Sequence, residues 1–197
     1  MGSEFIRKGL KLPNHIWSSW ANLEAHETVY QLHKDYINAG ANYITTNTFR
    51  TTPRAYKKLG FSDEESKILA KTSLETAVSI AEKARLDNIK ILGSIAPLED
   101  CYMPNLFPGK NIANKEFLEI SNWLYDSAID IFLLETMNSI DETISCLDTL
   151  ERYNTPVWVS FVLLDSKHIL SGEPLKDAIK AVKDYDVKCL LINCNSL

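Results

Sequence analysis

The chain has 197 residues, 45% of them hydrophobic, and a formal net charge of -5 from 21 basic and 26 acidic side chains. A chain of that length and apolar content can bury a core as one domain, and its composition excludes disorder. Lys and Arg are mixed with Asp and Glu, so no basic stripe is offered to a phosphate backbone and nucleic acid is not an expected partner.

The longest apolar runs are a few residues, against the ~20 needed to cross a bilayer, and no signal-peptide hydrophobic region opens the chain. A cytoplasmic protein with no membrane partner is expected. Cys101, Cys146, Cys189 and Cys194 form no CxxC pair, which fits reduced thiols. Cys189 and Cys194 fall on one predicted strand, and the odd spacing between them predicts opposite faces rather than a chelating pair.

In chain order, Val29, Leu32, Tyr36 and Ile37 recur at helical spacing and predict a helix over 22–38, stopped by Gly40 in the left-handed conformation. The run ANYITTNTF predicts a strand whose polar end is Thr46-Asn47-Thr48. Ser62 and Glu65 form a capping box that starts a long helix, with Ile68, Leu69, Leu74, Val78, Ile80 and Ala81 on its apolar side. IKILGSIAP is the next strand, ending at Ser94. A loop over 98–114 follows, long enough to be functional, and Asn114 is placed to cap a helix with Phe117, Ile120 and Leu124 on one face.

IDIFLLETM is then a strand ending at Glu135-Thr136, and Ser139 with Glu142 predicts a second capping box. VWVSFVL gives a strand with Ser160 near its end. Leu175, Ile179 and Val182 mark a helix, and VKCLLINC closes the series at Asn193-Cys194. Apolar strands alternating with helices mean an α/β fold with a parallel sheet covered on both faces. Asn47, Ser94, Glu135, Ser160 and Cys194 then lie at C-terminal strand ends, the side on which such folds bind ligands.

Each of these residues has an ordinary reading beside the functional one. Ser94 and Ser160 also fit turn or packing positions, and Cys194 also fits a buried apolar thiol. Glu135 is harder to place as mere structure, because a carboxylate closing the run IFLL is partly desolvated and needs a partner. His15, His26, His33 and His168 have no metal-ligand spacing and read as surface or structural. Trp17, Trp20 and Phe49 read as packing, or as an aromatic box for a cationic ligand.

Taken together, GSEFIRKGL, the WSSW step, HKDYINAGANYITTNTF, GSIAP, FLLETM, PVWVSF and INC occur in an order and spacing that resembles the homocysteine S-methyltransferase family. Its members use S-methylmethionine, betaine or methyltetrahydrofolate as methyl donor. The resemblance implies a TIM-type (β/α)8 barrel, here about its first six βα units with a partial first strand, and a single homocysteine-binding barrel domain over 1–197. It implies a catalytic zinc held by Cys194 and by a Cys-Cys pair that this sequence does not contain, so the zinc site is expected to be incomplete. Glu135 is implied to meet the substrate amino group, with Thr136, Asn47 and Ser94 in the same pocket.

The implied reaction is methyl transfer to the homocysteine thiol, held as a zinc-bound thiolate, giving methionine. The family's Asp-Gly-Gly turn of the first strand has no counterpart here, and neither do its seventh and eighth strands. Open sheet edges and self-association are therefore expected. So is an alternative reading, in which this chain is catalytically inactive or completes its barrel with a partner.

Overall fold

A computed structural model describes residues 1–127 and 129–195, so the last two residues of the closing stretch, Ser196 and Leu197, lie outside the described residues. The fold divides into two compact units, residues 1–94 with 123–130, and residues 95–122 with 131–197.

The first unit carries helices α1 (Gly2–Arg7), α2 (Ala21–Glu24), α3 (His26–Asn38), α4 (Pro53–Lys57) and α5 (Asp63–Ala84), with strand β1 (Tyr43–Thr45) parallel to β2 (Lys90–Ile95). Their register pairs Ile44 with Ile91 and Thr45 with Leu92. The helix expected over 22–38 is broken at Ala25, whose φ of -143° leaves the helical region. Tertiary hydrogen bonds explain the break. Asn22 in α2 donates to Asn47 O at 2.8 Å and to Ser73 Oγ at 3.1 Å, which fixes the direction of α2 independently of α3. Gly40 does stop α3, at φ +98°.

The capping box of α5 forms as expected: Glu65 N donates to Ser62 Oγ and Ser62 N donates to Glu65 Oε2. Leu74, Val78, Ile80 and Ala81 are buried as expected, but Ile68 is 56% exposed, and the small residues Ser66, Ala70, Ser73, Ala77 and Ala84 complete the buried face. Small residues let neighbouring elements approach closely, and a search for large apolar side chains passes over them. Tyr36 is likewise exposed, and buried His33 takes an inward position on α3 instead. Gly93 in β2 serves close packing, since a Cβ there would stand 2.5 Å from Ile129 Cδ1.

The second unit carries β3 (Ile131–Met137), α7 (Ile140–Leu150), β4 (Val157–Phe161), α8 (Leu175–Val182) and β5 (Val187–Ile192), with β3, β4 and β5 paired in parallel. Helix α6 (Lys110–Asp126) begins four residues before the cap expected at Asn114. Gly109, at φ +89°, turns the chain into it, and its carbonyl accepts from Ile112 N and Ala113 N. Phe117, Ile120 and Leu124 are buried as their shared face requires. Ile179 of α8 is 42% exposed, so its helical spacing does not make it core.

The second expected capping box does not form. Ser139 stands at the N-cap of α7 without a side-chain cap bond, and its Oγ is buried with no partner among the described residues. Glu142, 1% exposed, instead accepts from Leu98 N at 2.8 Å, and the α7 amide of Ile140 is met by Glu173 Oε2 at 2.9 Å. Glu142 is thus recruited to anchor the 98–109 loop. Burial and then the Glu142 charge push the thiol of Cys146, one turn further along α7, well above its ordinary range. Among the described residues no helix is long and apolar enough to cross a membrane.

Two measurements follow from these anchors. Glu142→Ala orphans the Leu98 amide and is expected to cost about 1–3 kcal/mol, whereas Glu142→Gln keeps an acceptor and costs less. Hydrogen exchange at Leu98 should accelerate in the Ala variant, and an unchanged rate there would show that Glu142 is no anchor. The second concerns His33, whose Nε2 is buried without a partner among the described residues and whose pKa is pushed down to about 4, by burial and then by the positive chain terminus.

A folded-state pKa below the ordinary ~6.5 means that stability is full above that pH and falls as pH drops toward 4, by roughly 3 kcal/mol at most. Urea midpoints at pH 7.5 and pH 5 should therefore differ more in the native chain than in His33→Gln. Parallel shifts in the two proteins would remove His33 as the cause.

Candidate functional site

Strand β3 does not keep register to its end. Leu134 pairs with Val159 and Met137 pairs with Phe161, so three steps along β3 match two along β4 and one extra residue is accommodated at Glu135-Thr136. Such a bulge bends the strand and re-aims its side chains. Thr136 takes up the irregularity at φ +62°, a left-handed conformation that a β-branched residue adopts only under constraint. Cys194, two residues beyond β5, is also left-handed, at φ +56°.

These two residues meet. Thr136 Oγ1 donates to Cys194 Sγ at 3.7 Å, and Asn193 Nδ2 donates to Thr136 Oγ1 at 2.8 Å and to Cys194 Sγ at 3.4 Å. Ser160 Oγ, from β4, donates to Asn193 Oδ1 at 2.8 Å. The backbone adds two further ties, Asn193 N to Phe161 O at 3.1 Å and Leu163 N to Asn195 Oδ1 at 2.7 Å. Thr136 and Ser160 are buried, Asn193 and Glu135 half-buried, and Cys194 exposed. A thiol thus stands open at the strand ends, with a carboxylate in the adjacent bulge.

The loop over 98–109 reaches the same place. Asn138, just after β3, donates from Nδ2 to Cys101 O at 3.1 Å, which sets Tyr102 beside it. Burial, and then the charges of Cys194, Cys101 and Asp100, raise the Tyr102 phenol above its ordinary value. Sequence reasoning passed over Tyr102 and Asn193 as site residues. The signal for Tyr102 was its place in a long loop after a strand, and the signal for Asn193 was an amide next to the terminal thiol.

Asn47 and Ser94 belong to the first unit and to a different network. Asn47 Nδ2 donates to Ser18 O at 2.7 Å and to Asn22 Oδ1 at 2.8 Å, so both amide hydrogens hold the 3-10 turn Trp17–Trp20 and α2 in place. Thr48 Oγ1 donates to Ser94 O at 2.7 Å, and Ser94 N donates to Thr46 Oγ1 at 3.1 Å, which ties the ends of β1 and β2. Trp20 packs against the cluster of Phe5, Ala21, Val29, Leu32 and Ile80.

The expectation that Cys189 and Cys194 share a strand is also corrected, because β5 ends at Ile192 and Cys194 is set by its own left-handed turn rather than by strand alternation. The donor set does not close around a metal. Among the described residues no three His, Cys, Asp or Glu side chains gather as a ligand group, and a catalytic zinc takes about three.

The homocysteine S-methyltransferase family model matches residues 1–197. The chain is 27% identical over 214 residues to a homocysteine S-methyltransferase of Escherichia coli (strain K12), covering all of this chain and 68% of that protein. It is 28% identical over 221 residues to homocysteine S-methyltransferase YbgG of Bacillus subtilis (strain 168), with the same coverage, and 28% identical to a selenocysteine methyltransferase of Astragalus bisulcatus, covering 98% of this chain and 66% of that one. The metallated form of the Escherichia coli homocysteine methyltransferase MmuM matches with a TM-score of 0.88 at 25% identity, over all of this chain and 73% of that one. The expected α/β architecture is thereby shown as part of a TIM-type barrel. With the family model matched along its whole length, the chain belongs to the homocysteine S-methyltransferase family.

Proposed function

We infer that this chain is a homocysteine S-methyltransferase domain whose β3–β5 strand ends receive the amino-acid substrate. The bulge at Glu135-Thr136, locked to Cys194 through Asn193, carries the reading. It presents a carboxylate for a substrate ammonium next to a fixed sulfur, which suits a small amino acid with one thiol arm. Thr136 is proposed to line the pocket beside Glu135, while Asn47 and Ser94 serve the first unit's own network, in which the amide hydrogens of Asn47 are already committed.

The transfer itself is a displacement. A homocysteine sulfur that has released its proton donates an electron pair to the methyl carbon and forms the new S–C bond. The bond from that carbon to a positively charged sulfur or nitrogen breaks, and its electron pair stays with the donor, which leaves neutral. A thiol is mostly protonated near neutral pH, so the substrate must first release its proton to solvent, and that proton leaves the site before the methyl group arrives. Glu135 holding the ammonium aims the sulfur, and alignment of reacting atoms lowers the barrier further. Methionine is the product.

Cys194 is the residue proposed for the zinc that the resemblance implies, and a single thiolate does not hold that ion firmly. The 197-residue polypeptide is therefore expected to retain well under about one zinc per chain after dialysis against a mild chelator, with little change in Cys194→Ser. Stoichiometric zinc surviving that treatment, and lost in the Ser variant, would show that the site is complete.

A second reading is favoured by β5, where Leu190 and Ile192 are 45% and 55% exposed. An apolar strand of that kind suits a chain that associates, with itself or with a partner, and transfers no methyl group. Calorimetry separates the two. Weak homocysteine binding to the native chain, reduced at least tenfold in Glu135→Gln, or about 1.4 kcal/mol, supports the substrate pocket. No heat from the native chain would leave the associating reading in its place.

A further inference from the structure

We propose that Asn193 is a positioning residue that sets the direction of the Cys194 sulfur, acting as the central link from Ser160 to Thr136. Its side chain spends both amide hydrogens inside the site, on Thr136 Oγ1 at 2.8 Å and on Cys194 Sγ at 3.4 Å, while its Oδ1 accepts from Ser160 Oγ at 2.8 Å. Thr136 gives its own proton to Cys194 Sγ at 3.7 Å. The amide must therefore be the donor toward Thr136, which leaves its oxygen for Ser160 and fixes which way the group faces.

The constraint reaches the backbone. Thr136 and Cys194, two of the three non-glycine residues at positive φ among the described residues, are the pair that this amide bridges, and each such conformation costs about 1–3 kcal/mol unless its surroundings over-determine it. On the other side of the thiol, Asn195 Oδ1 accepts from Leu163 N at 2.7 Å, so Cys194 is bracketed by two anchored asparagines. The bracket leaves Cys194 exposed while denying its side chain free rotation.

Asn193 thus deepens the methyltransferase reading and rests on it for what the aimed sulfur is used for. The geometry of the sulfur itself is measurable without any turnover. In the full chain labelled with 13Cβ cysteine, the two Hα–Hβ couplings of Cys194, assigned by loss of its signals in Cys194→Ser, report its side-chain rotamer. Unequal couplings are expected in the native chain, with loss of that inequality in Asn193→Ala. Thr136→Ser, which keeps the hydroxyl, should stay native-like, whereas Thr136→Val should move toward the averaged pattern.

Buried Cys101 and Cys146 monitor the fold in the same spectra. Should their signals leave the native positions in Asn193→Ala, Ser160→Ala becomes the deciding variant, since it removes the donor that steadies the amide. Averaged couplings in the native chain overturn the proposal. So do unequal couplings that survive the deciding variant. Failure of homocysteine to bind would count against the substrate pocket alone and would leave the couplings as they are.

Discussion

The side-chain amide of Asn193 joins the ends of three parallel strands, and the geometry of the second unit's polar end depends on it. Ser160 reaches it from β4, Thr136 from β3, and its own main chain continues from β5 into Cys194. Ladder hydrogen bonds hold β3 and β4 in register as far as Leu134 and Val159, and the pairing resumes one residue out of step at Met137 and Phe161. Beyond that point the extra residue in β3 would leave Thr136 in a conformation that costs free energy and returns nothing. The chain of hydroxyl, amide, hydroxyl and thiol gives that conformation partners, and the buried side chains of Phe132, Leu134, Val159 and Phe161 hold the strands beneath it rigid.

Much of this architecture was legible from hydrophobic runs. Strand–helix order, the Ser62–Glu65 cap, the stop at Gly40 and the placement of Glu135, Ser160 and Cys194 at or just past strand ends all follow from local pattern, because each depends on residues within a few positions of one another. The bulge was not legible. It is a difference in count between two strands, and neither strand shows it alone. Glu142 illustrates the same limit: its spacing from Ser139 satisfies the capping rule, yet a backbone amide at Leu98 competes for its carboxylate and wins. A rule based on spacing cannot see a partner more than forty residues away.

The first unit shows how similar polar patterns divide between structure and binding. Asn47 and Asn193 both follow strands, and both spend their amide hydrogens on protein atoms. The difference lies in where those hydrogens go. Asn47 donates to a backbone carbonyl and to Asn22, which closes its network on the fold, whereas Asn193 donates to a hydroxyl and a thiol that are themselves reactive groups. Residue type and strand-end position are the same in the two cases, and only the thiol next to Asn193 sets it apart in the sequence.

The sulfur of Cys194 receives two donors, from Thr136 and Asn193, and remains exposed. A buried structural thiol has no use for two donors and gains nothing from a left-handed backbone. A ligand or contact that must face outward in one direction gains from both, because the donors fix where the sulfur sits and the turn lifts it clear of the strand end. The same geometry limits what the thiol does unaided: with no third acidic, histidine or thiol group gathered beside it among the described residues, it contributes one aimed sulfur. Glu135 in the neighbouring bulge is the carboxylate proposed to meet a substrate ammonium. On the proposed reading, a sulfur held just past β5 and a carboxylate in the bulge of β3 orient a small amino acid before any reaction begins, and orientation is the part of methyl transfer assigned to these residues.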